Sequence, residues 1–261
     1  MWLVFCAEEP IVGVPFRSDS LRIECGVKSD QGKIRTSNED SFIANTKSAI
    51  FLVADGMGGH AAGEIASQIA AASVEEVLSG DGSEFTEEQL LQFAVQKANT
   101  SVYEAQRSRP ECRGMGSTLT VLLFRDNQYY IAQVGDSRAY LLRNKNLNQL
   151  TQDHSLVWPL YKSGIISKED ISRHPQKNLI TRSIGTQPQV EADLQKGEAL
   201  KGDIYLLCSD GLTDVLSDQE ILSLLTGENR NPQELSEMLV NAANSGGGPD
   251  NITTVVVRLA R

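Results

Sequence analysis

STLTVLLFRDNQYYIAQVGDSRAYLLRN, Ser117 to Asn144, decides the fold class. Three runs of β-branched, aliphatic and aromatic residues, 117–124, 128–134 and 138–144, are separated by Arg125-Asp126-Asn127 and by Gly135-Asp136. Runs of this length between turn residues read as strands. Connections this tight leave no room for crossover helices, so an antiparallel meander is expected. Outward from it, the chain continues the pattern. Strands are expected over 21–27, 41–45 and the apolar run Ile50–Ala54, then over 204–208 and along NITTVVVRL, Asn251–Leu259. Ile65, Ile69, Ala72 and Val77 recur at helical spacing between Gly63 and Leu78, and Gly80 follows as a stop. Thr86 with Gln89 and Ser217 with Glu220 are capping boxes, and the first opens a helix to about Gln106 with the core stripe Leu90, Ala94, Ala98, Val102. Asn231-Pro232 starts a further helix ending near Ser245-Gly246.

Helices thus arrive in two pairs, with strands before, between and after them. The economical arrangement is an α+β, four-layer αββα sandwich: two antiparallel sheets flanked by helix pairs. Spacing is tight from Leu21 onward, so 21–261 is expected to be one domain, with 1–20 an extension of unassigned role. The opening MWLVFCAEEP is too short and lacks the basic flank for a signal peptide or membrane span. Four scattered cysteines (Cys6, Cys25, Cys112, Cys208) form no CxxC pair and fit a reducing compartment as buried thiols. A cytoplasmic protein with no membrane attachment is expected. Across 261 residues the net charge is −10, which speaks against a nucleic-acid surface.

The chemistry lies in the acids that end the strands. FLVADGMGGHAAGEIAS, Phe51–Ser67, mimics a phosphate-binding loop, but Glu64 and Ile65 stand where Lys and Ser/Thr are required. Armed with Asp55 and Glu64, such a loop repels phosphate unless a cation lies between. Acids recur at similar places: Asp210-Gly211 after IYLLCS, Asp136 after IAQVG, Asp250 before the last strand, Glu39-Asp40 in RTSNED, and Asp153 in LTQDHS. Each alone reads as a turn residue. Asp55-Gly56 and Asp210-Gly211, both ending apolar strands, are expected at a common sheet edge facing one cavity. Gathered carboxylates need a cation to stay ionised, and oxygen donors without a Cys or His cluster select Mg²⁺ or Mn²⁺. The three histidines, His60, His154 and His174, are not spaced as zinc ligands. Two ions about 4 Å apart activate a water toward phosphorus. Arg35 supplies a fork for phosphate oxygens, although locally it reads equally well as a surface ion-pair partner.

RTSNED, VADGMGGHAAGEIAS, GMGSTLTVLLF, VGDSRAYLLR, LTQDHSL, HPQKNLITRSIGT, LLCSDGLTDVLSDQEI and GGPDNITTVVV stand in the order and spacing of the metal-dependent protein phosphatases. The chain resembles the bacterial form of this type 2C serine/threonine class over about Leu21 to Leu259. The resemblance implies an αββα sandwich with a binuclear Mn²⁺ or Mg²⁺ centre at one end, and a flap over about 158–183. Asp55 would bridge both ions, the Gly56 carbonyl would bind one, and Asp210 and Asp250 the other. Glu39 and Asp40 would contribute through water. Asp153 with Asp210 resembles a third-ion site, and Arg35 the substrate-phosphate arginine. Animal members carry a histidine directly after Asp-Gly, as proposed general acid, where this chain has Met57. His60 stands three residues later, as in bacterial relatives. It reads as a group acting on leaving group or substrate, or as a structural residue at a helix start. The implied substrates are phosphoserine and phosphothreonine proteins, targets of a serine/threonine kinase, and the protein is expected to be monomeric. Asp136-Ser137-Arg138 is expected to be a turn with a local Asp–Arg pair, His154 to be structural and Cys208 to be core.

Other phosphatase chemistries do not fit. A cysteine phosphatase needs Arg six positions after Cys, but Val12, Gln31, Thr118 and Asp214 stand there. An aspartyl-phosphate enzyme needs Asp-x-Asp, and Asp210 is followed by Gly211 and Leu212. A two-metal nuclease needs a basic groove. The alternative from another class is a catalytically silent phosphatase-like domain that binds a partner; such a domain should have lost metal carboxylates.

Overall fold

The computed structural model describes residues 22–58, 62–80, 82, 84–171, 174–227 and 230–260. In chain order the strands are β1 (Arg22–Asp30), β2 (Asp40–Asn45), β3 (Ile50–Met57), β4 (Gly116–Ser117), β5 (Leu119–Arg125), β6 (Gln128–Val134), β7 (Arg138–Arg143), β8 (Asn146–Gln149), β9 (Asp193–Glu198), β10 (Ile204–Cys208) and β11 (Ile252–Ala260). The helices are α1 (Ala62–Ser79), α2 (Glu87–Ser108), α3 (Trp158–Lys162), α4 (Lys168–Ile171), α5 (Asp210–Thr213), α6 (Asp218–Leu225) and α7 (Pro232–Ser245). One sheet runs β1-β11-β10-β7-β8 and the other β2-β3-β5-β6-β9, with β4 attached to β3. Every pairing is antiparallel.

Because side chains alternate along a strand, the central strands bury both faces. Ile50, Leu52 and Ala54 of β3 pack with Val121 and Leu123 of β5 under α1 and α2. Phe51 and Val53 face the other sheet, where they join Tyr205, Leu207, Val255 and Val257. Leu206, Cys208 and Val256 turn outward beneath Leu235 and Leu239 of α7. Phe124 meets Tyr205 edge to face across the sandwich, with ring centroids 5.1 Å apart. The four layers are therefore those expected. Both anticipated capping boxes form, and Asn231 with Glu234 makes a third at the start of α7.

One expectation fails. The runs 117–144 are not a meander within one sheet: β5 pairs with β6, but β7 pairs with β10 and β8 in the opposite sheet. The chain changes sheets at Gly135, which takes φ +102° and admits no Cβ because Thr118 would lie 2.6 Å away. That crossing carries Asp136 into the end of the sandwich.

The outer edge of β1 is covered by a side chain. Gln233 of α7 donates its amide to the Val27 carbonyl and accepts the Val27 N–H, both at 3.0 Å. Gly26 permits this approach, since a Cβ there would fall 2.1 Å from the main-chain nitrogen of Gln233.

Candidate active site

Asp55 lies near the end of β3, directly opposite Asp40 of β2. Its peptide is fixed from both sides: its N–H donates to Thr118 Oγ1 (2.9 Å), while its carbonyl accepts from the Thr118 N–H (2.8 Å) and from Ser117 Oγ (3.0 Å). Thr118 Oγ1 also meets Ser137 Oγ at 2.7 Å, which joins this peptide to the sheet-changing turn. Gly56 donates to the Glu39 carbonyl, and a Cβ on it would meet Gly63 O at 2.0 Å. Here β3 and α1 touch backbone to backbone, so the glycines are required by contact.

Asn251 gathers the second group. Its side-chain oxygen accepts from the Glu39 N–H (2.8 Å), and its amide donates to the carbonyls of Gln31 (2.9 Å) and Ser37 (2.8 Å). This folds the loop 31–39 onto the start of β11 and brings Arg35 to Asp250 at 2.7 Å. The Arg35 side chain remains 51% exposed, so its guanidinium is reachable from solvent. Ser209, just before Asp210, donates to Asp40 Oδ2 (2.8 Å) and accepts the Thr253 N–H (3.0 Å). The anticipated meeting of Asp55 and Asp210 is thus made between two sheets, not along the edge of one.

The electrostatics report the crowding. Burial first, and then Asp40, Asp210, Asp136 and Asp250, hold the Asp55 carboxyl well above the usual range. Asp210 is raised likewise, by burial and then by Asp136, Asp214, Asp250 and Asp40. Asp40 is pushed up to about 6, chiefly by burial, against hydrogen bonds from Thr253 and Ser209. Asp136 reaches about 7 through burial and Asp153. Asp40 Oδ1 and Asp210 Oδ1 are buried with no hydrogen-bond partner. Such orphaned oxygens among like charges are what a hard cation satisfies. Among the described residues no three His, Cys, Asp or Glu side chains close into a finished cage. An open ring of oxygens suits Mg²⁺ or Mn²⁺, since Mg²⁺ characteristically takes one or two carboxylates and keeps several waters. The residues fit the ions.

Asp153 is otherwise engaged. Arg138 forks onto both its oxygens, with Nη2 at 2.6 Å, and Gln149 donates to Oδ1 at 3.1 Å. The expected local Asp136–Arg138 pair is therefore replaced by an Arg138–Asp153 pair, because β7 points its first residue toward the incoming loop. This leaves Asp136, read from sequence as a turn, as the foremost acidic neighbour of Asp210. Its signal was present in VGD, a third strand ending in Asp, but a turn residue beside an arginine concealed it. Asp136, Asp153, Asp210 and Asp214 line a cleft of about 630 Å³, with Lys177 bound to Asp214 at 2.6 Å across it. His154, expected to be structural, is buried, and burial lowers its pKa. His60 and the extension 1–20 lie outside the described residues. Cys208 is core as anticipated.

Two antiparallel sheets between helix pairs, with an all-oxygen acidic ring and a reachable arginine at one end, define a metal-dependent phosphatase. A family model described as Protein phosphatase 2C matches residues 33–243. The chain is 40% identical over 236 residues to the serine/threonine phosphatase stp of Listeria innocua, covering 88% of this chain and 93% of that protein. The crystal structure of the Mycobacterium tuberculosis serine/threonine phosphatase PstP/Ppp superposes with a TM-score of 0.84 at 40% identity, over 92% of this chain and 99% of the other. A PstP catalytic domain in complex with two manganese ions gives a TM-score of 0.84 at 38% identity, over 93% of this chain and all of that one. The chain belongs to the protein phosphatase 2C family. None of its helices is long and apolar enough to cross a membrane, among the described residues.

Proposed function

We propose that Asp55, the Gly56 carbonyl, Asp210 and Asp250 hold the two ions of this metal-dependent serine/threonine protein phosphatase, with Glu39 and Asp40 contributing through water. The observation that carries this reading is the pair of buried, unpartnered oxygens on Asp40 and Asp210 within a mutually repelling acidic ring. Two divalent cations bound there would supply a water of lowered pKa and offset charge on the phosphoryl oxygens. Arg35 would take the phosphate with its fork, sharing with the substrate the guanidinium that now meets Asp250. Thr118 and Asn251 keep the Asp55 and Glu39 peptides in place. For a third ion we favour Asp136 with Asp210 over Asp153, whose oxygens already serve Arg138. We assign no role to His60 beyond the two readings above. The silent-domain alternative draws no support from a site in which every expected carboxylate stands.

The substrates are phosphoproteins. We further propose that a serine/threonine kinase writes the marks removed, that 21–261 acts as one catalytic domain, and that the protein works as a cytoplasmic monomer. The test is hydrolysis of an aryl phosphate and a phosphothreonine peptide after chelation, with Mn²⁺ restored, in wild type and Asp210→Ala. Activity lost with chelator, regained with Mn²⁺ and lost by at least 100-fold in order of magnitude in the variant is expected, given that outer-shell changes alone cost about 10–100-fold. A folded Asp210→Ala enzyme with full activity would remove Asp210 from the centre.

A further inference from the structure

Gly135, where the chain changes sheets, is held on both its main-chain groups by His154, with the Gln133 amide donating to the same carbonyl at 2.9 Å. The Gly135 N–H donates to His154 Nδ1 at 3.1 Å, and the Gly135 carbonyl accepts the His154 N–H at 2.8 Å. An amide nitrogen can only donate, so Nδ1 carries the lone pair and the ring proton is on Nε2. Nε2 faces Asp193 Oδ2 of β9 at 3.3 Å, an acceptor that fixes this tautomer. Arg182 Nη1, 3.1 Å from Nε2, is also a donor and is satisfied instead by Asp193 Oδ1 and the Glu191 carbonyl. The same residue closes the base of the segment 155–181. Its carbonyl accepts the Thr181 N–H at 2.7 Å, next to the Ser155–Ile180 bridge and the bond from Leu156 N–H to the Leu179 carbonyl.

We propose that His154 is a positioning residue for the phosphatase reaction: ring and main chain together clamp the Gly135 peptide and so hold the Asp136 carboxylate beside Asp210. The inference rests on the reading of Asp136 as an oxygen donor of the centre. A ring that served only to fill space would not need its bare nitrogen aimed at the N–H of the residue before that carboxylate. The clamp also gives the flap base and the acidic ring a common anchor, so a change at one is felt by the other.

The test compares His154→Asn, whose amide oxygen can stand where Nδ1 stands, with His154→Leu, which keeps bulk but offers no acceptor. Asp136→Asn tests the underlying reading. Mn²⁺ binding to the metal-stripped full chain is measured by calorimetry, alongside thermal melting, kcat and KM for a phosphothreonine peptide over a Mn²⁺ series. His154→Leu is expected to weaken the affected Mn²⁺ site by about 10–100-fold, the usual effect of losing a group that orients a ligand. Half-activation should shift to higher Mn²⁺ with KM little changed. His154→Asn should recover most of this, and adding Asp136→Asn to His154→Leu should cost no more than Asp136→Asn alone. If His154→Leu melts lower yet binds Mn²⁺ and turns over as wild type, the residue is structural only and the inference falls. If Asp136→Asn itself leaves Mn²⁺ binding unchanged, the reading beneath it fails instead. Should His154→Leu not fold, His154→Asn against His154→Gln decides: Gln reaches toward the Nε2 position, so equal behaviour of the two overturns the proposal.

Discussion

Thr118 shows how much of the site hangs on uncharged side chains. Its hydroxyl accepts the Asp55 N–H, meets Ser137, and sits against the glycine that changes sheets. Thr118→Val keeps the shape but leaves the Asp55 N–H buried without a partner, which destabilises by about 1–3 kcal/mol. Activity should fall by about 10–100-fold, with Thr118→Ser close to wild type. A Thr118→Val enzyme as active as Thr118→Ser would show that the hydroxyl does not hold Asp55 for the reaction. At this scale the sequence was readable where charge announced itself: Asp55, Asp210 and Asp250 were marked as candidates by strand ends and turns, and Arg35 by its place before Glu39. Thr118, Asn251 and Asp136 were not, because a threonine in a strand, an asparagine before one and an aspartate in a turn each have an ordinary local explanation. Their work is set by partners far along the chain, such as the 212 residues between Asn251 and Glu39.

Elements were legible where their ends carried chemistry. Thr86 accepts the Gln89 N–H at 3.3 Å and Gln89 returns a bond to the Thr86 N–H at 3.0 Å, so α2 begins where its cap said. Thr86→Ala should lower stability by about 1 kcal/mol, seen as a drop in melting temperature, while kcat/KM stays unchanged. A parallel loss of activity would mean that α2 transmits strain to the acidic ring. The central strands were equally clear one by one, from β-branched runs with both faces buried. Their assignment to sheets was not, since a connection as short as Gly135-Asp136-Ser137 is the usual sign of a hairpin. Here it serves a crossing, because Val134 and Arg138 lead into different layers and only the distant partners β9 and β10 reveal which. The short helices α3 and α4 and the edge strands β8 and β9 lacked the long periodicity that would have exposed them.

For the molecule as a whole, the acidic ring works against the fold at neutral pH when no cation offsets it. Asp40 and Asp136 ionise near 3.8 when unfolded but at about 6 and about 7 when folded, and Asp55 and Asp210 are raised as well. Raised carboxyls favour the fold at low pH, and that contribution is lost as pH climbs from about 4 through 7. The stabilisation given by Mn²⁺ should therefore grow over the same window, approaching about 2.7 kcal/mol per site at a hundredfold excess over Kd near neutral pH. Melting curves with Mn²⁺ and with chelator from pH 4 to 7.5 check this: a gap that stays constant would remove the ring as its cause. The −10 net charge, which argued only against nucleic acid, thus includes a local surplus at one end of the sandwich. At the opposite concern of a two-sheet protein stands the clip of Gln233 on Val27. An exposed strand invites a neighbour's backbone to extend the sheet from molecule to molecule. One amide, filling both peptide groups of Val27, closes that invitation in the middle of β1, so among the described residues this rim is covered there by a side chain and not by another strand.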